Sequence, residues 1–410
     1  MPSTCLYLQM HQPPRLRRFN IFTDDTRYFD DDLNRSLLQR IAARCYDPTL
    51  DLLRRLTDRH RGDFRLGLSV SGSLLDQLTR HAPDTLERLV KLAGTGDVEI
   101  LGETDHHSIA SAVGGDEARP ARREFGRQID LHTAAVERRF GQRPTVFRNT
   151  ELIHSDAIAV AVARRPQGFL GVLAEGADHV LGDRSPNHLY RAHGTNLGLL
   201  LRNHRLSDAI AFRFTNADGR NTTLTADAFA ERVAAQPGEV VNLFMDFETF
   251  GEHLWASTGI FTFLERLPGA LLDRGCFFLT PSEAMDTLPA AGILSTPAPT
   301  SWADARRDTS AWLGNAMQQS ATQRLYALAP LATGPAVARH HPELLRDWRR
   351  LTTSDHVYYM ATPAPQHAGD ETVHQYFSPY DSPYDAYINF MNILGHLTPR
   401  LEAAAARSAD

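Results

Sequence analysis

Lysine is almost missing from this chain. Lys91 is the only one, although lysine and arginine together number 43 in 410 residues. That excludes a Gly-Lys-Ser/Thr phosphate loop and argues against Schiff-base chemistry. Cysteine is nearly as scarce. Cys5, Cys45 and Cys276 are far apart, odd in number and form no Cys-x-x-Cys pair. They exclude a disulfide framework and a cysteine zinc site, and predict a reduced, intracellular protein. No stretch approaches the roughly 20 apolar residues of a membrane span. No signal peptide is read at the start: Met1 to Met10 has the pattern of a strand, and Arg15, Arg17 and Arg18 follow it rather than precede it. The expectation is a cytoplasmic protein with no membrane contact. Basic excess is absent too; a net charge of −6 and a pI near 6.3 speak against a nucleic-acid partner. Repeats and low-complexity tracts are also lacking.

What is present is a long alternation of strand-like and helix-like segments, with 42% hydrophobic residues to fill a large core. Strand patterns occur at residues 4–10, 64–70, 98–101, 145–148, 168–172, 240–245 and 276–279. Between them lie helical periodicities at 33–46, 48–59, 74–77, 84–92, 116–140 and 155–164. Such repetition predicts a parallel sheet, and its length favours closure into a barrel. Residues 289–300 turn to Ala, Pro, Ser and Thr and read as a connector. Beyond them only helical patterns follow. The expected organisation is a catalytic α/β barrel over 1–290 and a C-terminal helical domain over 291–410.

The chemistry concentrates at strand ends. Val240 to Met245 runs straight into Asp246 and Glu248, two carboxylates on one side of an extended chain. An inward, desolvated Asp beside a second carboxylate has a raised pKa, as a general acid requires. Glu151 follows another strand, and Arg148 nearby favours its ionised form, as an attacking group needs; an Arg–Glu structural pair is the alternative. His11-Gln12-Pro13 ends the first strand, and the polar run Glu99 to Ser108 follows the third. Late in the chain, residues 352–360 and 377–384 bring Asp355, His356 and several tyrosines, suited to sugar stacking or to pinning domains together. Trp255 and Trp302 are candidate sugar platforms, whereas Trp348 falls at core spacing.

In order, His11-Gln12-Pro13, Gly96 to Ile100, Asn149-Thr150-Glu151-Leu152 and Asp246-Phe247-Glu248 resemble signatures of glycoside hydrolase family 57. Residues 354–360 and 382–384 resemble its α-amylase-like branch. The resemblance implies a (β/α)7 barrel, an incomplete TIM-type barrel, followed by a helical bundle. It implies a retaining mechanism on α-1,4-glucan or maltooligosaccharide, with Glu151 as nucleophile and Asp246 as acid/base. His11, Glu99, His107, Glu248, His253, Trp255, Asp355 and His356 are then expected around the substrate, with no metal and no cofactor. A 4-α-glucanotransferase or branching enzyme on the same scaffold is the nearest alternative. The nucleophile stretch lacks the tryptophan-rich form of several branches of the family, which leaves specificity open.

A metal-dependent deacetylase or α-mannosidase is a rival reading. Phe22-Thr23-Asp24-Asp25 has a similar content to the deacetylase strand end but the wrong order. His107 also lacks a second histidine four residues on. A non-catalytic glucan-binding protein is a third, against which both acids stand.

Overall fold

The computed structural model describes residues 1–217, 219, 222–303, 305–362 and 378–406. Phe377, part of the late aromatic stretch, lies outside them. The strands are β1 (Ser3–Met10), β2 (Leu66–Val70), β3 (Val98–Ile100), β4 (Val146–Arg148), β5 (Gly171–Glu175), β6 (Leu189–Ala192), β7 (Gly198–Arg202), β8 (Val240–Asp246) and β9 (Ala290–Leu294). They form two sheets, ordered β3-β2-β1-β8 and β4-β5-β7-β6-β9.

All pairs within the first sheet are parallel, as are β4 with β5 and β5 with β7. Backbone bonds stitch the two sheets at both margins. Gly102 N–H donates to Val146 O (2.9 Å) and Arg148 N–H to Gly102 O (2.7 Å), while Asn203 N–H donates to Asn242 O (2.9 Å). The parallel strands are buried along most of their length, which explains their continuous apolar runs. Their carboxyl ends therefore point one way and gather Met10, Val70, Arg148 and Asp246.

The opposite end is closed by the helix Pro281–Thr287, which carries a full capping box from Thr280 and Glu283. Glycines admit it. A Cβ on Gly171 would stand 2.3 Å from the Met285 sulfur, and one on Gly198 would stand 3.0 Å from Met285 Cγ. Inside lie Tyr7, Leu101, Leu173, Leu200 and Phe244. Outside, the amphipathic helices Asp31–Ile41, Asp47–His60 and Pro83–Ala93 bury leucine faces against β1 to β3.

Three segments depart from the sequence reading. The expected strand at 276–279 is reduced to a single parallel bridge between Thr4 and Phe278. The stretch read as a connector contains β9, which pairs in parallel with β6. β6 and β7 lie between residues 172 and 240, where no strand pattern occurs; β6 runs antiparallel to β7 and interrupts the repeat.

The C-terminal region is helical, from Ala316–Ala327 to Pro383–Ala406. Trp312, Tyr326 and Trp348 fill its core, and Trp348 Nε1 donates to Leu325 O (2.9 Å). It packs on the long helix Ala118–Phe140, where Arg349 Nε reaches the buried Glu124 at 2.8 Å. Among the described residues no helix is long and apolar enough to cross a membrane.

Candidate active site

Backbone strain marks the place where the strand ends meet. Among the described residues, five non-glycine residues have positive φ: Arg61, His107, Glu151, Leu152 and Arg307. Four of them belong to one cluster. The left-handed conformation costs about 1 kcal/mol or more for such residues and persists where the surroundings over-determine it. At φ 57° and ψ 25°, Glu151 turns out of β4; at φ 52°, His107 turns out of the chain after β3.

These two side chains touch. His107 Nε2 lies 2.8 Å from Glu151 Oε1, and the other carboxylate oxygen accepts the Trp302 indole N–H at 2.7 Å. Burial works to raise the Glu151 pKa. The His107 hydrogen bond and charge, the Arg148 charge and the Trp302 bond override it and hold the carboxyl below its ordinary value. Burial likewise opposes the charge on His107, but Glu103 and Glu151 push it up to about 9. Near neutral pH the pair is an imidazolium donating to a carboxylate.

Asp246 is shifted the opposite way. It ends β8 and receives no side-chain hydrogen bond among the described residues. Desolvation, and next the charge of Glu151, push its pKa up to about 6. Behind it, Glu248 is desolvated and faces the Asp246 charge, which together lift it to about 8. Tyr46 donates its hydroxyl to Glu248 Oε1, and His11 N–H reaches the same oxygen at 3.3 Å. Glu248 is thus protonated at neutral pH.

The His11 ring stacks on His107 with centroids 3.9 Å apart and planes 18° from parallel. Desolvation and the His107 charge lower its pKa, so it is the neutral member of the stack. Its Nδ1 lies 2.7 Å from Ser71 Oγ and its Nε2 3.1 Å from Asp355 Oδ2. Burial would raise Asp355, but His11 and the charged His107 hold it well below the usual carboxylate range. Asp355 enters from the helix Ser354–Tyr358, so the C-terminal region supplies part of the wall.

Other expected residues fall elsewhere. Glu99 is a correction: its carboxylate accepts from Ser282 N–H (2.8 Å) and Thr145 Oγ1 (3.4 Å), at the end closed by the helix Pro281–Thr287. Glu103, four residues on, is the acid of this run that reaches His107. It is fully buried, with Oε2 3.5 Å from His107 Nδ1 and 3.7 Å from Arg148 Nη1. Trp255 is 60% exposed, so its indole is open to solvent. His253 sits one turn beyond Glu248, its N–H on Glu248 O at 2.9 Å, and burial pushes its ring down to about 4. His356 stands behind Asp355 with its ring 6.0 Å from Phe390, and burial lowers it to about 4 as well.

Trp302 is held from behind. The Arg148 guanidinium lies 4.9 Å from its ring centre and Arg202 5.7 Å. Arg307 donates to Trp302 O (2.9 Å) and to Asp208 Oδ2 (3.0 Å), while Arg202 bonds the other Asp208 oxygen at 2.5 Å and Glu175 at 3.3 Å. Two carboxylates and two guanidiniums form a buried network whose outer face is the indole. Among the described residues no three His, Cys, Asp or Glu side chains converge as metal ligands do. Below about pH 6 the cluster can present one ionised and one protonated carboxyl to a bond placed between them.

Comparison with known proteins identifies the family. Residues 5–297 match the model of glycosyl hydrolase family 57. A protein of Methanocaldococcus jannaschii named "Putative alpha-amylase" is 37% identical over 396 residues, 94% of this chain and 82% of that protein. Two solved structures share the fold at low identity. A family 57-type branching enzyme from Pyrococcus horikoshii has a TM-score of 0.68 at 14% identity, covering 99% of this chain and 92% of that one. The α-amylase AmyC from Thermotoga maritima gives 0.57 at 15%, with 99% and 97% covered. This chain belongs to glycosyl hydrolase family 57.

Proposed function

We propose that the protein is a retaining, α-amylase-like glycoside hydrolase acting on α-1,4-glucan, with Glu151 as nucleophile and Asp246 as acid/base. The observation that carries this reading is the opposed environment of the two carboxyls, which shifts their pKa values apart. One is held ionised by two hydrogen bonds and a buried arginine, and the other is left without a donor and pushed up to about 6. The scaffold is read as a (β/α)7 incomplete barrel over residues 1–290, with the helical region 291–410 packed on it.

In the first step Glu151 attacks the anomeric carbon. The glycosidic C–O bond breaks as the Asp246 proton passes to the leaving oxygen. This leaves a covalent glycosyl-enzyme and an Asp246 carboxylate. In the second step that carboxylate takes a proton from water, whose oxygen attacks the same carbon and releases Glu151. The His107 and Trp302 donors hold the nucleophile in place and stabilise it when it departs. His11, His107 and Asp355 are assigned to the sugar undergoing attack, with Glu103 fixing His107. Glu248 supports Asp246 from below, and His253 and His356 support the wall.

A sugar hydroxyl in place of water gives 4-α-glucanotransferase or branching activity from the same intermediate. The α-amylase name of the relative covering 94% of this chain favours water. The test is incubation with maltooligosaccharides of defined length, followed by product sizing with wild type, Glu151→Gln and Asp246→Asn. Hydrolysis gives only shorter products, and both variants lose activity while keeping the wild-type melting profile. Longer linear products or α-1,6 linkages convert the reading to transfer; an active Glu151→Gln overturns it. A retaining pair also requires carboxyl groups about 5–5.5 Å apart in a sugar complex.

A further inference from the structure

Away from the strand ends, a cleft of about 540 Å³ lies between the helix Ala118–Phe140 and the C-terminal helices. One wall carries Arg119, Arg123 and Arg127. At spacings of four residues they share one helix face, in a row about 12 Å long. None has an ion pair or side-chain hydrogen bond among the described residues, and all three are exposed. The facing wall is largely apolar, with Pro330 and Leu345. At the floor Arg349 and the buried Glu124 are bonded to each other, so their charges offset.

Three like charges four residues apart destabilise a helix slightly when nothing lies between them. They do so here on a chain of net charge −6, where carboxylates outnumber cations. A row of guanidiniums facing a cavity, each with free planar donors, matches phosphoryl oxygens in the bidentate manner. One phosphoryl group engages one or two of them; the length of the row calls for more than one.

We propose that this cleft binds a small polyanion carrying two or more phosphoryl groups, across Arg119, Arg123 and Arg127. The apolar wall accepts the uncharged part of such a molecule. The site is separate from the proposed catalytic cluster but not isolated from it. Glu124 Oε1 accepts from Gln128 Nε2 (3.2 Å), and Gln128 Oε1 accepts from His106 N–H (3.2 Å), next to His107.

Calorimetric titration of the full chain with inorganic pyrophosphate tests this directly, at about 0.15 M salt so that diffuse attraction is screened. One-to-one binding is expected, weakened roughly tenfold or more by Arg123→Glu, the cost of losing one charge-assisted contact and adding repulsion. Arg122→Glu lies on the same helix, exposed but outside the cleft, and should leave the affinity within about twofold. Tighter binding of ADP than of pyrophosphate supports a nucleotide, and equal binding supports the phosphoryl chain alone. No saturable binding, equal loss in both variants, or equal affinity for sulfate, which means an adventitious ion only, overturns the proposal. Unchanged melting of both variants confirms that the comparison is between folded proteins.

Discussion

Replacing Trp302 by Phe removes one hydrogen bond and little else. The ring keeps an aromatic face for Arg148 and Arg202, so the cation–π contacts at 4.9 and 5.7 Å survive in weaker form. What disappears is the indole N–H that donates to Glu151 Oε2 at 2.7 Å. A hydrogen bond to a charged group contributes about 1.5–3 kcal/mol. Losing about 2 kcal/mol of stabilisation where the carboxylate departs corresponds to roughly a 30-fold fall in kcat. A second effect runs through the pKa. Glu151 is held below its ordinary value by His107, Arg148 and this bond, so removing the bond raises it. The nucleophile must be ionised, and the acidic limb of the pH–rate profile therefore moves to higher pH in Trp302→Phe. The assay is kcat against pH on a maltooligosaccharide, with KM followed separately. A tryptophan that only packs against sugar would raise KM and leave the acidic limb where it was, and that result refutes the assignment.

Further expectations concern the two carboxyls of β8 and their supports. The alkaline limb of wild type should fall near the Asp246 value of about 6, and Glu248→Gln should leave it there, because Glu248 titrates later, at about 8, and is already neutral. The same variant gives a stability test. A carboxyl raised from about 4.5 to about 8 on folding costs nothing below pH 4.5 and progressively more as pH rises towards 8. Glu248→Gln should therefore gain melting temperature over wild type at pH 8 relative to its difference at pH 4.5; a pH-independent difference contradicts the shift. Glu103→Gln should lower the His107 pKa from about 9 and reduce kcat, whereas Glu99→Gln should leave kcat within about twofold and lower only the melting temperature. Arg307→Ala strips one guanidinium from a buried network and should destabilise by about 3 kcal/mol, read as a lower midpoint in urea; an unchanged midpoint would show the network to be dispensable.

The Glu99 and Glu103 pair shows what was legible in the sequence and what was not. Strand ends, the two acids of β8 and Glu151 stood out because apolar runs stop abruptly at charged residues, and a buried charge needs a purpose or a partner. The polar run from Glu99 to Ser108 was equally visible, but its layering was not. Glu99 and Glu103 are four residues apart, so in an extended chain both side chains point inward. They sit about 13 Å apart along the strand axis. Parity therefore cannot separate a residue at the plugged end from one at the open end. Only the position of the helix Pro281–Thr287, whose Ser282 N–H takes up Glu99, decides it, and that helix lies more than 180 residues away. β9 escaped for a similar reason: its five residues are mostly small and exposed, and it exists because β6 offers an edge.

Trp302 and Arg307 carry the same lesson into the chemistry. Neither stands at the end of a strand, and no local pattern distinguishes Trp302 from Trp255. What separates them is a buried acceptor within reach. Trp302 finds the second oxygen of Glu151, while Trp255 finds solvent. The positive φ of Arg307 then turns its guanidinium back to the Trp302 carbonyl and to Asp208. A residue in a strained conformation, spending its side chain on the backbone of the group that touches the nucleophile, makes sense if the orientation of the indole matters to the reaction. The strain at His107, Glu151 and Arg307 thus serves one arrangement: His107 and Glu151 are bent to meet each other, and Arg307 is bent to hold the indole that binds the second Glu151 oxygen.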